Sequence, residues 1–269
     1  HHRALPRHGV VSGSESTLPT SFDLVATTVS WLSSCLTTND WPSASGSSSP
    51  MLYGGGMPGN APHVVGITGG SGSGKTTLAQ ALLGAVPVDE AVVLPLDAYY
   101  HDLSHLNPDA RRHQNFDVPD ALDWELFEAD VRTLRGGDRI DRPIYDFGSH
   151  TRQRGSLPVE PRPLVIAEGL LLLCHAGIRA LIDTSVFLDV DDQTAVDRRV
   201  ARDRRERGRR PEDSRTQFAR DVRPMFERYV RPTRRWATLT LSGTAPVTHN
   251  VEYVLKALEP HRKLPAVFD

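Results

Sequence analysis

Several things are scarce in this sequence. It has two cysteines, Cys35 and Cys174, too few for a disulfide framework or a four-thiolate zinc site. Both read as buried or free thiols of a reducing compartment, so a cytoplasmic chain is expected. No run of 18 apolar residues occurs, and a membrane-spanning helix is therefore not expected. An excess of one charge is missing too, since 31 basic against 33 acidic residues leave a formal −2. That balance argues against a chain whose main task is to coat nucleic acid. Only Lys75, Lys256 and Lys263 are lysine, so each asks for an explanation. What remains is 39% hydrophobic and 24% charged residues over 269 positions, which suits a globular protein with a real core.

Residues 12–50 hold 18 Ser or Thr in 39 positions, and Gly54-Gly55-Gly56 follows. Such a stretch buries too little apolar surface to offset its ordering entropy. Residues 1–60 thus read as a flexible or extraneous leader. A targeting segment is the alternative, with Arg3 and Arg7 ahead of the apolar run 24–36. A catalytic domain is expected over 61–260 and a tail over 261–269.

From residue 61 short apolar runs alternate with helical periodicity. Stretches 64–67, 91–94, 164–167, 186–190 and 239–241 read as strands. The spacing of Phe127, Val131 and Leu134 predicts a helix with Asp123 as N-cap and Gly136 just past its end. Further helices are expected over 191–207, 212–229 and 251–258. Continuous apolar strands separated by helices imply a parallel sheet covered on both faces, hence an α/β domain.

The strongest local signal is Gly69-Gly70-Ser71-Gly72-Ser73-Gly74-Lys75-Thr76, which fits G-x-x-x-x-G-K-[ST] between a strand and a helix. Glycines let the backbone turn its N–H groups toward phosphate oxygens, and the helix N-terminus adds partial positive charge. Lys75 can reach the β- and γ-phosphates, the Thr76 hydroxyl can ligate Mg²⁺, and Thr77 extends the cradle. The chain is expected to bind a nucleoside triphosphate.

Three later segments point to a phosphoryl acceptor. Asp97-Ala98-Tyr99-Tyr100 follows the second strand, at the end where open α/β sheets bind ligands. A carboxylate there can take a hydroxyl proton and help hold Mg²⁺; an aspartate capping a turn is an equal alternative. The others are Asn115-Phe116-Asp117-Val118-Pro119-Asp120-Ala121 and Pro143-Ile144-Tyr145-Asp146-Phe147-Gly148-Ser149-His150-Thr151-Arg152. Tyr145 and Phe147, alternating along an apparent strand, could equally be core, and His150 could be a surface histidine. With Glu168-Gly169-Leu170-Leu171, Arg202-Asp203-x-x-Glu206-Arg207-Gly208-Arg209 and Val222-Arg223-Pro224-Met225-Phe226, the chain resembles the uridine kinase (uridine–cytidine kinase) family of P-loop nucleoside kinases over nearly all of 64–237.

That resemblance implies a fold of the nucleoside monophosphate kinase type, a five-stranded parallel sheet with a β-hairpin over the acceptor. It implies phosphorylation of uridine, and of cytidine, at the ribose 5′-hydroxyl, with ATP or GTP as donor and Mg²⁺ as cofactor, in pyrimidine salvage. Residue by residue, Asp97 matches the general base and Asp117 the carboxylate on the ribose 2′- and 3′-hydroxyls. Tyr100, Phe116, Tyr145, Phe147 and His150 match the base pocket, and Arg199 and Gln217 further nucleoside contacts. Glu168 matches the acidic partner of Thr76 on Mg²⁺, to which Asp97 also contributes. Arg202, Arg207 and Arg209 match arginines that close over the phosphates. A homo-oligomer, a tetramer by resemblance, is implied, with no nucleic-acid or membrane partner.

One departure is Val118, where the family usually carries His. The competing expectations are a phosphoribulokinase-like or other small-molecule kinase, a nucleotide-binding switch without a small acceptor, and a nucleic-acid module built on the arginine run 198–210. That run could also be a solvated helix face laced with i,i+4 pairs.

Overall fold

A computed structural model describes residues 61–261, except the side chains of residues 206, 207 and 261; the expected leader and nearly all of the expected tail lie outside the described residues. Five strands form one parallel sheet in the order β2-β5-β1-β6-β7: β1 His63–Gly69, β2 Ala91–Pro95, β5 Leu164–Glu168, β6 Thr184–Asp189 and β7 Leu239–Ser242. The alternating side chains of these strands feed two cores. Val64, Leu94, Val165 and Phe187 face one, where Phe127 and Leu134 of the helix Trp124–Gly136 pack. Val65, Ile67, Ile166 and Val186 face the other, against Leu78 and Leu82 of the helix Lys75–Gly84 and Val254 of the helix Val247–Leu258. Burial on both faces is why these strands read as unbroken apolar runs.

β3 Ile140–Asp146 and β4 Thr151–Val159 form a separate antiparallel hairpin. Phe147 is therefore not a strand residue: β3 stops at Asp146, whose Oδ1 accepts from the Gly148 amide at 2.8 Å and fixes the turn. Three helix expectations also need correction. The helix capped by Asp123 runs through Gly136, and Gly137, at φ 90°, makes the left-handed cap. The helix expected from 212 to 229 is a series of short pieces: Pro211–Gln217, a π-helical turn Phe218–Val222, Arg223–Met225, a second π-helical turn Phe226–Val230 and a 3-10 turn Arg231–Trp236. Each π turn precedes a proline, Pro224 or Pro232, which cannot donate to the turn before it. The last helix starts at Val247, four residues before the expected 251, with no side-chain cap to mark it.

Candidate active site

The cradle, Asp97, Glu168 and the arginine-bearing helix stand at the carboxyl ends of β1, β2, β5 and β6. Between β1 and the helix Lys75–Gly84 the chain wraps into a cradle in which Ser73 N donates to Gly70 O at 3.2 Å. Gly72 has φ +78°, and a Cβ there would lie 2.7 Å from the Ala195 carbonyl oxygen, so only glycine lets the loop rest on the arginine-bearing helix Asp192–Arg207. No side chain caps the helix at Gly74, which leaves first-turn amides open to an anion. Lys75 Nζ donates to Gly70 O at 2.9 Å. Burial lowers the Lys75 pKa, while Glu168, Asp97 and Asp117 pull it back up.

Glu168, at the end of β5, is buried at 8% exposure and accepts from the Thr76 hydroxyl at 3.2 Å. Burial and the neighbouring Asp97 carboxylate push its pKa up to about 7. A hydroxyl and an under-neutralised carboxylate side by side suit a hard cation that takes its other ligands from phosphates and water. Among the described residues no three His, Cys, Asp or Glu side chains gather into a complete cage.

The raised Glu168 pKa has a consequence for stability. Protonated glutamic acid is favoured in the folded, ligand-free chain, so its contribution is complete below the unfolded pKa of about 4.5 and lost as pH rises through about 7. At about 1.4 kcal/mol per pKa unit the loss is about 3 kcal/mol. Glu168→Gln is expected to flatten that part of the profile. Thermal melts of both proteins from pH 4.5 to 8, without nucleotide, test it; parallel curves would rule it out.

The acceptor side is built from three segments in contact. Asp97 lies in the 3-10 turn Leu96–Tyr99 that ends β2. The Tyr100 hydroxyl hydrogen-bonds the Asp97 carboxylate, and burial with Asp97, Asp117 and Tyr145 around it raises its pKa well above 10.0. Aromatic rings then run in series. Tyr100 meets Phe116 at 5.2 Å and Tyr145 at 5.4 Å, Tyr145 meets Phe147 at 5.3 Å, and His150 stacks on Phe116 at 4.6 Å, 19° from parallel. His150 holds its ring there from a left-handed backbone, φ 56°. Tyr145 is 7% exposed, whereas Phe147 at the turn is 43% exposed. The Tyr145 hydroxyl is buried without a hydrogen-bond partner among the described residues, a cost that a polar ligand edge would remove.

Asp117 is half-buried; desolvation raises its pKa and Arg199 opposes the shift. Arg199 is 8% exposed and donates from Nη1 to Ser71 Oγ of the cradle at 3.2 Å and from Nη2 to Gln217 Oε1 at 3.3 Å. Arg209 Nη1 reaches the same Gln217 oxygen at 2.6 Å. Arg199 therefore ties the cradle to Gln217 and Arg209 and lies close enough to Asp117 to act on its charge. Arg202 is half-buried near Asp203, while the Arg207 side chain lies outside the described residues. Asp203 has 0% exposure, so this run is not a merely solvated face.

Residue-type reasoning passed over Arg198, whose Nη1 donates to Gly72 O at 3.2 Å and Gly243 O at 2.8 Å. Its place after the fourth strand of the run was the only clue. It also gave no role to Arg152 or Arg111, described below.

A parallel sheet with the Gly-rich cradle and its lysine at its centre, and a carboxylate and aromatic cluster beside it, defines a P-loop kinase. The family described as phosphoribulokinase/uridine kinase matches residues 64–247, and the chain belongs to that family. A uridine kinase of Brevibacillus brevis is 40% identical over 180 residues, 67% of this chain and 84% of that one. A uridine kinase of Streptococcus gordonii is 35% identical over 204 residues, 73% of this chain and 97% of that one. Phosphoribulokinase from Rhodobacter spheroides shares the fold at a TM-score of 0.52 and 14% identity, over 70% of this chain and 75% of its own. The expected family and five-stranded α/β fold are thus borne out. Among the described residues no helix is long and apolar enough to cross a membrane.

Proposed function

We propose that this protein transfers the γ-phosphoryl group of ATP to the 5′-hydroxyl of uridine, and of cytidine, giving the nucleoside monophosphate. The observation that carries the reading is the grouping of Lys75, Asp97 and Asp117, close enough to shift one another's charge, with Tyr100 and the aromatic series. A sugar phosphate would want cations where this chain offers Tyr145, Phe147 and His150. A flat pyrimidine wants aromatic faces and a few polar groups on its edge.

Each residue then has a task. The cradle amides of 69–74 with Lys75, Thr76 and Thr77 hold the triphosphate, and Lys75 moves from Gly70 O onto phosphate oxygens. Asp117 accepts hydrogen bonds from the ribose 2′- and 3′-hydroxyls, as one carboxylate can. Tyr145 and His150 supply the polar edge of the base slot and Phe116 a face. Asp97 takes the 5′-hydroxyl proton as the O5′–Pγ bond forms and the bond from Pγ to the β,γ-bridging oxygen breaks, releasing ADP. Arg199 and Gln217 contact the nucleoside, while Arg202 and Arg209 neutralise charge on the equatorial oxygens, with Arg207 following in the same run. Thr76 and Glu168, with Asp97 nearby, fit Mg²⁺, which when bound would neutralise β- and γ-phosphate charge. GTP is a second donor to try. The cytoplasm, pyrimidine salvage, a tetramer, and the absence of nucleic-acid and membrane partners complete the reading. So does the division into a leader over 1–60, a catalytic domain over 61–260 and a tail.

ADP release across uridine, cytidine, thymidine, ribulose 5-phosphate, pantothenate and no acceptor tests it. Uridine and cytidine should exceed the acceptor-free rate by at least about a hundredfold, the scale of well-placed general-base catalysis. Turnover led by ribulose 5-phosphate, or equal rates throughout, would overturn it. In the same assay Tyr145→Ala and His150→Ala should each raise KM for uridine about tenfold or more, the scale of a lost aromatic face or buried hydrogen bond. KM for ATP should stay put; equal changes in both would argue against a base slot.

A further inference from the structure

The hairpin Ile140–Val159 makes no strand pairing with the parallel sheet. A lone two-stranded hairpin is only marginally stable in water, so other contacts must fix its place. Ile140, Tyr145 and Val159 bury side chains in the first core, and two arginines add polar ties in opposite directions. Arg152, at the start of β4, sends its guanidinium out of the hairpin. Its Nε donates to Tyr100 O at 2.9 Å, and its Nη2 to Tyr99 O at 3.3 Å and Asp123 Oδ2 at 3.0 Å. The Arg152 amide donates to Asp102 Oδ1 at 3.1 Å. Arg111, in the segment after β2, sends its guanidinium the other way. Its Nη1 donates to Ser149 O in the hairpin turn at 3.1 Å, while Nε and Nη2 hold Leu106 O at 2.8 Å and Ser104 O at 3.2 Å.

We propose that Arg152 and Arg111 form a reciprocal latch between the hairpin and the segment after β2, and that Arg152 is a positioning residue for Asp97 and the acceptor slot. The logic is geometric. Tyr100 is three residues past Asp97, its hydroxyl is bonded to that carboxylate, and its ring packs on Tyr145 of the hairpin. Seizing the Tyr99 and Tyr100 carbonyls from the hairpin therefore sets base wall and proton acceptor in one rigid relation. Only a planar fork can do this. Guanidinium offers five N–H donors in fixed directions, whereas a lysine offers one compact charge that can answer Asp123 or a carbonyl but cannot span them. The Arg152 side chain is 23% exposed and its Asp123 partner 25%, so much of the fork lies out of water.

The latch rests on the nucleoside kinase reading for its kinetic consequence but not for its mechanical one, so two measurements separate them. In hydrogen exchange on the ligand-free protein, Arg152→Lys and Arg111→Lys should each speed exchange at residues 145–152 about tenfold or more. The strands β1 and β5 should be unchanged. In steady-state kinetics with uridine, Arg152→Lys should lower kcat between tenfold and a hundredfold, the range that a misplacement of about 1 Å produces. KM for ATP should move less than about twofold. Unchanged exchange at 145–152 would overturn the latch, as would wild-type kcat in Arg152→Lys, or a kcat loss matched by an equal rise in KM for ATP. If the wild type does not phosphorylate uridine, the substrate reading fails while the exchange result still decides the latch.

Discussion

Asp97→Asn is expected to lower the turnover of uridine by about a thousandfold while ATP binding is retained, within the span general-base catalysis supplies. Asparagine keeps the size and the hydrogen bond to the Tyr100 hydroxyl that the carboxylate makes, but it cannot accept the acceptor's proton. The carboxylate is half-buried among like charges, close enough to Glu168 and Tyr100 to shift both, so its removal relieves repulsion and should not unfold the chain. The pattern to look for is a collapse in kcat with KM for ATP little altered, read by coupled ADP release together with titration of a fluorescent ATP analogue. Turnover within a few-fold of wild type would take Asp97 out of the proton-transfer role and leave it as a turn residue.

Lys75→Ala should have an effect of similar size for a different reason. Lys75 is one of only three lysines in the chain, and the site around it holds Glu168, Asp97 and Asp117. Burial disfavours its charge and those carboxylates oppose that, while Nζ waits beside the cradle on Gly70 O at 2.9 Å. Charge that builds on the transferring phosphoryl group is stabilised best by donors already in place, and loss of one such group costs about a hundred- to a thousandfold in rate. The main-chain amides remain, so nucleotide affinity should fall far less than kcat. A variant that turns over uridine within tenfold of wild type would mean that Arg202 or Arg209 carries the phosphate charge instead.

What the sequence made legible follows from how local each signal is. The central strands are legible to within two residues because burial on both faces leaves them short runs without a polar side chain, as in 64–67 and 164–167. The cradle was legible because spacing, strand and helix all fall within 14 residues, 63–76. The breaks at Pro224 and Pro232 could have been anticipated from missing N–H donors, yet the apolar period of 218–230 masks them. Strand alternation points to Phe147 as a strand residue, but the turn chemistry of Asp146-Phe147-Gly148 ends β3 before it. Contacts across long sequence separations left no trace at all: Arg199 with Ser71, 128 positions apart, and Arg152 with Tyr100, 52 apart, obey no period or motif rule. The aromatic series was legible only through family resemblance, since Phe116, Tyr145 and His150 taken singly are ordinary core or surface residues.

The most direct test of a triphosphate cradle facing a slot for a ribose and a flat ring, with a carboxylate between, is the chemical identity of the product. Uridine incubated with ATP, Mg²⁺ and the full chain, followed by phosphorus NMR with proton coupling, should give a single monoester whose phosphorus couples to the two 5′ protons, in equal amount to ADP. Phosphate on the 2′ or 3′ oxygen, or ADP matched only by inorganic phosphate, would contradict the account.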